Sequence, residues 1–73
     1  MKSTDLVRMS TQIAQFFEPY TTEEAITGVA EHLTGFWTPS MRLELLAILA
    51  TGTPPLHPLV VEAARRLTAG RPA

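Results

Sequence analysis

The 73-residue sequence contains no cysteine. That removes disulfide frameworks, thiolate zinc sites and cysteine-ligated iron–sulfur clusters from the readings open to it. Its two histidines, His32 and His57, stand far apart with no carboxylate cluster around either, so no metal site is expected. Charge of one sign is also missing. Six Lys and Arg against seven Asp and Glu give a net charge of −1, the cations are scattered, and no basic stripe is available for phosphates. No nucleic-acid partner is expected. The longest apolar run, Leu45 to Ala50, falls far short of the roughly 20 residues that span a bilayer, and no membrane association is expected. Lys2 is followed by the polar Ser3, Thr4 and Asp5 instead of an apolar leader core, which together with the lack of cysteine points to a cytoplasmic location.

Hydrophobic residues make up 45% of the chain and charged residues 18%. A chain of this length forms one domain, residues 1–73, near the lower limit at which a single core sustains itself. Surface scaling gives about 7,000 Å² buried on folding. If about 60% of it is apolar, burial contributes about 105 kcal/mol against about 110 kcal/mol of ordering entropy. Idealised helix packing or a partner protein must supply the margin, which argues against an independent enzyme.

Proline and glycine divide the chain into four stretches, each with helical periodicity and none with strand alternation. The fold expected is all-α, a small bundle of about four short helices joined by Pro/Gly turns. The first helix starts at a Ser3 or Thr4 cap and ends before Pro19. Leu6, Ile13 and Phe17 align on one face, flanked by Met9 and Phe16 on one side and Val7 and Ala14 on the other, with Arg8, Thr11, Gln12 and Gln15 turned away. The second opens with a Thr21–Glu24 capping box and carries Ile26, Val29, Ala30, Leu33, Phe36 and Trp37 at three- and four-residue spacing; Gly35 stands where it could end. Thr38 and Pro39 cap and start the third, and Gly52 is its left-handed stop. The fourth begins near His57 and Pro58 and fades at Gly70, leaving residues 69–73 as a loose tail. Short loops favour antiparallel neighbours.

The third helix does not divide into two faces. Met41, Leu45, Ile48 and Leu49 share one side, yet Leu43, Leu46, Ala47 and Ala50 occupy much of the other. A helix apolar nearly all round must be buried nearly all round. Either it is central to the bundle, or part of its surface, together with Phe16, Trp37 and Met41, docks on another protein, since aromatic residues, Met and Arg are enriched at interface cores. Taken singly, Trp37 fits the core, though its indole N–H wants a partner. His32 fits a hydrogen-bonded structural role, and His57 a turn or cap. The helix dipole accounts for Glu23 and Glu24 in a first turn and for Arg65 and Arg66 near a last one.

Three segments carry a resemblance to a known family. They are Leu6 to Phe17; Val29-Ala30-Glu31-His32-Leu33 with Phe36-Trp37-Thr38-Pro39-Ser40-Met41-Arg42; and Leu56-His57-Pro58-Leu59-Val60 with Glu62-Ala63 and Leu67. The chain resembles the delta subunit of bacterial NAD-dependent, molybdenum- or tungsten-containing formate dehydrogenase. The central block, a His followed by Phe-Trp-x-Pro-x-Met-Arg, is the most specific part; Thr11 departs from the Asn expected in the opening segment.

The resemblance implies a non-catalytic accessory subunit that stabilises or helps assemble a multisubunit cytoplasmic enzyme converting formate and NAD to CO2 and NADH. The complex would carry bis-molybdopterin guanine dinucleotide with Mo or W, iron–sulfur clusters, FMN and NAD, none of them held by this chain. Its expected partners are the large catalytic subunit and the other subunits. The contact residues expected are Phe16, Phe17, His32, Phe36, Trp37, Met41, Arg42 and Leu43, with Arg42 making a charge-assisted bond to the partner. The competing reading is a free-standing homodimeric helical regulator or small-molecule binding module. A helix-turn-helix DNA binder is disfavoured by the uncharged third helix.

Overall fold

A computed structural model describes residues 2–69, which form four helices and no strand. The helices are α1 (Ser3–Phe17), α2 (Thr22–Phe36), α3 (Pro39–Thr51) and α4 (Pro58–Ala69). The domain is all-α, as the punctuation predicts. Residues 70–73 of the expected tail lie outside the described residues, and Ala69 closes α4 instead of opening a tail.

Local chemistry sets most helix ends. Thr21 Oγ1 accepts the Glu24 N–H at 3.2 Å, and Glu24 Oε1 accepts the Thr21 N–H at 3.4 Å, completing the capping box. At α3, Thr38 Oγ1 accepts the Met41 N–H at 3.2 Å, Pro39 takes the first turn, and Gly52 stops the helix at φ 76°. His57 starts α4, its Nδ1 accepting the Leu59 N–H at 3.1 Å. The start of α1 departs from expectation. Lys2 occupies the cap position with no side-chain bond, and Ser3 and Thr4 lie inside the helix.

The core gathers Leu6 and Ala14 of α1, Ile26, Val29 and Leu33 of α2, Trp37 at the joint, Leu45 of α3, and Val60, Ala63 and Ala64 of α4. On α1 the fully buried line is Leu6, Ser10 and Ala14, not Leu6, Ile13 and Phe17. Ser10 satisfies its hydroxyl by donating to the Val7 carbonyl at 2.8 Å. The two small residues let neighbouring backbones come close. Met9, Ile13 and Phe17 are therefore rotated to the margin of the core, where they are half-buried.

The third helix is not the central one. α2 packs most heavily, against α4 and α1, while α3 lies against α1 and α4 and scarcely meets α2. The two-residue joint Trp37–Thr38, extended at both positions, is too short to bring α3 back alongside α2. These consecutive helices are accordingly not the packed antiparallel neighbours that short loops suggest. Only Leu45 and Ile48 of α3 are fully buried, and Leu43 is 60% exposed. The apolar surplus of this helix faces outward.

Polar ties cross the bundle at its surface. His57 Nε2 bonds Glu18 Oε2 at 2.8 Å, joining the start of α4 to the turn after α1. Arg66 of α4 pairs with Glu23 and donates to Thr27 Oγ1 of α2 at 3.1 Å. Its guanidinium thus reaches another helix as well as lying near its own C-terminus.

Candidate functional site

The eight residues expected to form one contact patch divide into two sets. The first surrounds a groove of about 500 Å³ between α1 and α2. Met9, Gln12, Ile13, Phe16 and Phe17 form its α1 wall, and His32 and Trp37 close the other side. The α1 residues recur at intervals of three and four, so that a continuous strip of that helix lines the groove. This strip lies at the margin because Leu6, Ser10 and Ala14 take the buried line of α1.

Aromatic contacts shape the rim. The Phe16 and Phe17 rings meet edge to face at 5.0 Å, and Phe17 reaches Tyr20 at 5.6 Å. His32 stacks on Phe36 at 4.7 Å with 28° between the ring planes. Phe16 is 68% exposed and Phe36 77%. Phe36 therefore does not continue the buried face of α2; it departs from the line where Trp37 turns inward. Three polar groups of the lining, the Gln12 amide, the His32 imidazole and the Trp37 indole N–H, have no hydrogen-bond partner among the described residues. The hydrogen bond expected for His32 is replaced by stacking.

Trp37 is 5% exposed and belongs to the core cluster, so it supports the groove from beneath more than it projects into solvent. Met41 is half-buried and packs on the same core. Arg42 has an internal partner. Its Nη1 donates to the carbonyls of Leu33 at 3.2 Å and Thr34 at 3.3 Å, and to that of Trp37. These carbonyls stand at the C-terminal end of α2, where only that of Leu33 has a backbone donor, the Trp37 N–H, and no basic residue lies in the last turn. Arg42 Nη1 is thus engaged within the chain, because α3 starts two residues after α2 ends and brings the guanidinium back over the helix terminus.

Leu43 lies with Arg42 in a second groove of about 340 Å³, shared with Thr34, Pro39, Leu46 and Leu67. The expected patch therefore does not form one continuous surface. A third concavity of about 380 Å³ adjoins the first through Phe17 and contains Tyr20, Glu23, Glu24 and Glu31. Gly28, also in its lining, lies directly beneath the Phe17 ring; a Cβ there would fall inside contact distance of the ring atoms. Met9, Gln12, Ile13, Gly28 and Glu31 were not among the expected contact residues. The wide apolar arc of α1 was the signal for Met9 and Ile13, whereas Gln12 and Glu31 carry no local pattern that distinguishes them from solvated polar positions.

Thiolates for a cluster are absent from the sequence, and no group of three His, Asp or Glu side chains among the described residues is arranged to hold a metal. The four glycines stand singly, with no glycine-rich turn for a dinucleotide. What the surface offers is apolar and aromatic contact area. No described helix is long and apolar enough to cross a membrane.

The profile of one protein family, described as "NADH-dependant formate dehydrogenase delta subunit FdsD", matches residues 5–64. The match takes in α1, α2 and α3 and reaches into α4. No curated protein and no solved structure matches the chain.

Proposed function

The chain belongs to the NADH-dependent formate dehydrogenase delta subunit family, and from that premise we propose that it acts as a non-catalytic accessory subunit, stabilising or helping to assemble the complex by docking on the large catalytic subunit. The complex is cytoplasmic in this reading and oxidises formate with NAD. The bis-molybdopterin guanine dinucleotide centre with Mo or W, the iron–sulfur clusters, FMN and the NAD site reside in the other subunits. This chain contributes an ordered surface.

The observation that carries the docking reading is the exposed position of Phe16, 68% accessible at the lip of a groove whose walls are mostly apolar. Monomeric proteins leave few large aromatic residues so open beside a concavity, and burying such a ring is a main source of interface energy. A standard interface covers about 800 Å² per partner. That is about a sixth of the 4696 Å² accessible surface of this chain, an area the first groove and its rim can anchor. The outward surplus on α3, with Leu43 at the second groove, is a further surface for the same complex.

Co-purification of the complex through a tag on this chain tests the reading. Phe16→Ala removes the ring without opening the core, and the expected loss of about 2 kcal/mol corresponds to about a 30-fold weaker association. Undiminished recovery of the catalytic subunit with a variant that melts like the wild type would sink the assignment of this face.

A further inference from the structure

We propose that the groove between α1 and α2 receives an amphipathic α-helix of the catalytic subunit, its apolar edge against Phe16 and Ile13 and a Lys or Arg of that helix beside Glu31; this rests on the docking reading above. Two features of the groove select the occupant: the supply of hydrogen-bonding groups and the distribution of charge.

From Met9 to Phe17 the α1 wall advances eight residues, about 12 Å at 1.5 Å per residue, or a little over two helical turns. An extended segment laid along that length would place about four residues in the groove, with about eight backbone donors and acceptors withdrawn from water. The lining has the Gln12 amide, the His32 imidazole and the Trp37 indole N–H to meet them, and the backbones of α1 and α2 are already paired within their helices. A strand therefore loses more hydrogen bonds than the groove can return. A helix brings its backbone bonds with it and presents only side chains, which is the chemistry an apolar groove between two helices accepts. Residues at three- and four-residue spacing on the occupant would alternate with those of α1.

Charge then sets which edge of that helix is polar. The groove lining itself contains no Asp, Glu, Lys or Arg. Its neighbour across Phe17 holds Glu23, Glu24 and Glu31. Glu23 is engaged by Arg66, and the Glu24 carboxylate accepts from the Thr21 N–H and hydroxyl. Glu31 has no ion-pair partner among the described residues, and none of the chain's described cations lines either concavity. With Arg66 already held by Glu23 and Thr27, a cation on the occupant's edge nearest Phe17 complements the Glu31 charge.

The experiment uses the formate dehydrogenase complex purified without this subunit, to which the fluorescently labelled full chain is returned. Glu31→Gln should weaken binding about 3-fold and Glu31→Lys about 10-fold, the difference from wild type closing as the salt concentration is raised to about 0.5 M. A photo-crosslinker in place of Gln12 should capture a helical peptide of the catalytic subunit that carries Lys or Arg. Capture of a strand or loop, of another subunit, or of a second copy of this chain overturns the helix proposal. Unchanged binding of Glu31→Lys, with Phe16→Ala still impaired, overturns the cationic edge and leaves the docking reading standing. Binding unaffected by both Phe16→Ala and Glu31→Lys, with no capture at Gln12, removes this face altogether.

Discussion

Replacing Arg42 separates a residue that holds the fold from one that meets a partner. Its guanidinium gathers the carbonyls of Leu33, Thr34 and Trp37 at the end of α2. Leu33 already accepts the Trp37 N–H at 3.3 Å, so the carbonyls most dependent on Arg42 are those of Thr34 and Trp37. Hydrogen bonds to a charged donor contribute about 1.5–3 kcal/mol, and a cation at a helix C-terminus about 0.3–1 kcal/mol. Two offsets reduce the sum. The side chain is half-buried and partly screened, and Arg42 itself stands in the opening turns of α3, where a cation is disfavoured by a few tenths of a kcal/mol. Arg42→Ala should therefore destabilise the domain by about 2 kcal/mol, which lowers its melting temperature by about 10 °C in a chain of this size. Arg42→Lys restores charge but not the planar fork, and should recover about half. Thermal unfolding of the full chain followed by helical circular dichroism reads all three proteins. Unchanged melting of Arg42→Ala together with lost assembly would refute the argument, since it would show the guanidinium acting on a partner and not on α2.

Substitutions at three other positions probe local packing and capping. Gly28→Ala drives a Cβ into the Phe17 ring and should cost about 1–2 kcal/mol net of the helix propensity gained, while weakening assembly; a melting temperature raised by the propensity alone would show that Phe17 moves freely. Gly35→Ala meets no neighbouring atom within 4 Å and should stabilise the chain by about 0.4–1 kcal/mol in denaturant unfolding, without altering complex formation. His57→Ala removes both the bond from the Leu59 N–H and the link to Glu18 and should cost about 1–2 kcal/mol, whereas His57→Asn keeps a cap acceptor and should cost about half as much in the same titration.

The helix ends that were legible are those set by residues a few positions apart. Thr21 with Glu24, Thr38 with Pro39, Gly52, and His57 with Pro58 each act within about one turn, and each behaves as its residue types dictate. The faces were less legible. Periodicity groups Leu6, Ile13 and Phe17 on a stripe, but the buried line of α1 runs through Leu6, Ser10 and Ala14, and neither a serine nor an alanine stands out in an apolar pattern. The path from α2 to α3 depends in the same way on a joint of two residues, and with it the assignment of Arg42. Of the expected contact set, Phe16, Phe17, His32 and Trp37 are drawn around one groove. Phe36 flanks it by stacking on His32, while Met41, Arg42 and Leu43 are held elsewhere by the turn into α3.

The same geometry connects the marginal core to the proposed accessory role. A domain of this size has little stability to spare, yet it seats small side chains at its closest helix contacts and leaves Phe16, Phe36 and Leu43 in solvent. Rotating α1 to bury Phe16 in place of Ser10 would enlarge the core but push α1 away from its neighbours and erase the groove wall. Apolar area withheld from folding remains available for association, where its burial stabilises the bound chain by mass action as well as joining two subunits. At a partner concentration 100 times the dissociation constant that linkage contributes about 2.7 kcal/mol. Melting of this chain should accordingly rise when the catalytic subunit is added, and the rise should shrink for Phe16→Ala by the amount that its weaker binding dictates. A Phe16→Ala chain whose gain equals that of the wild type would show that the withheld aromatic surface has no part in the assembly.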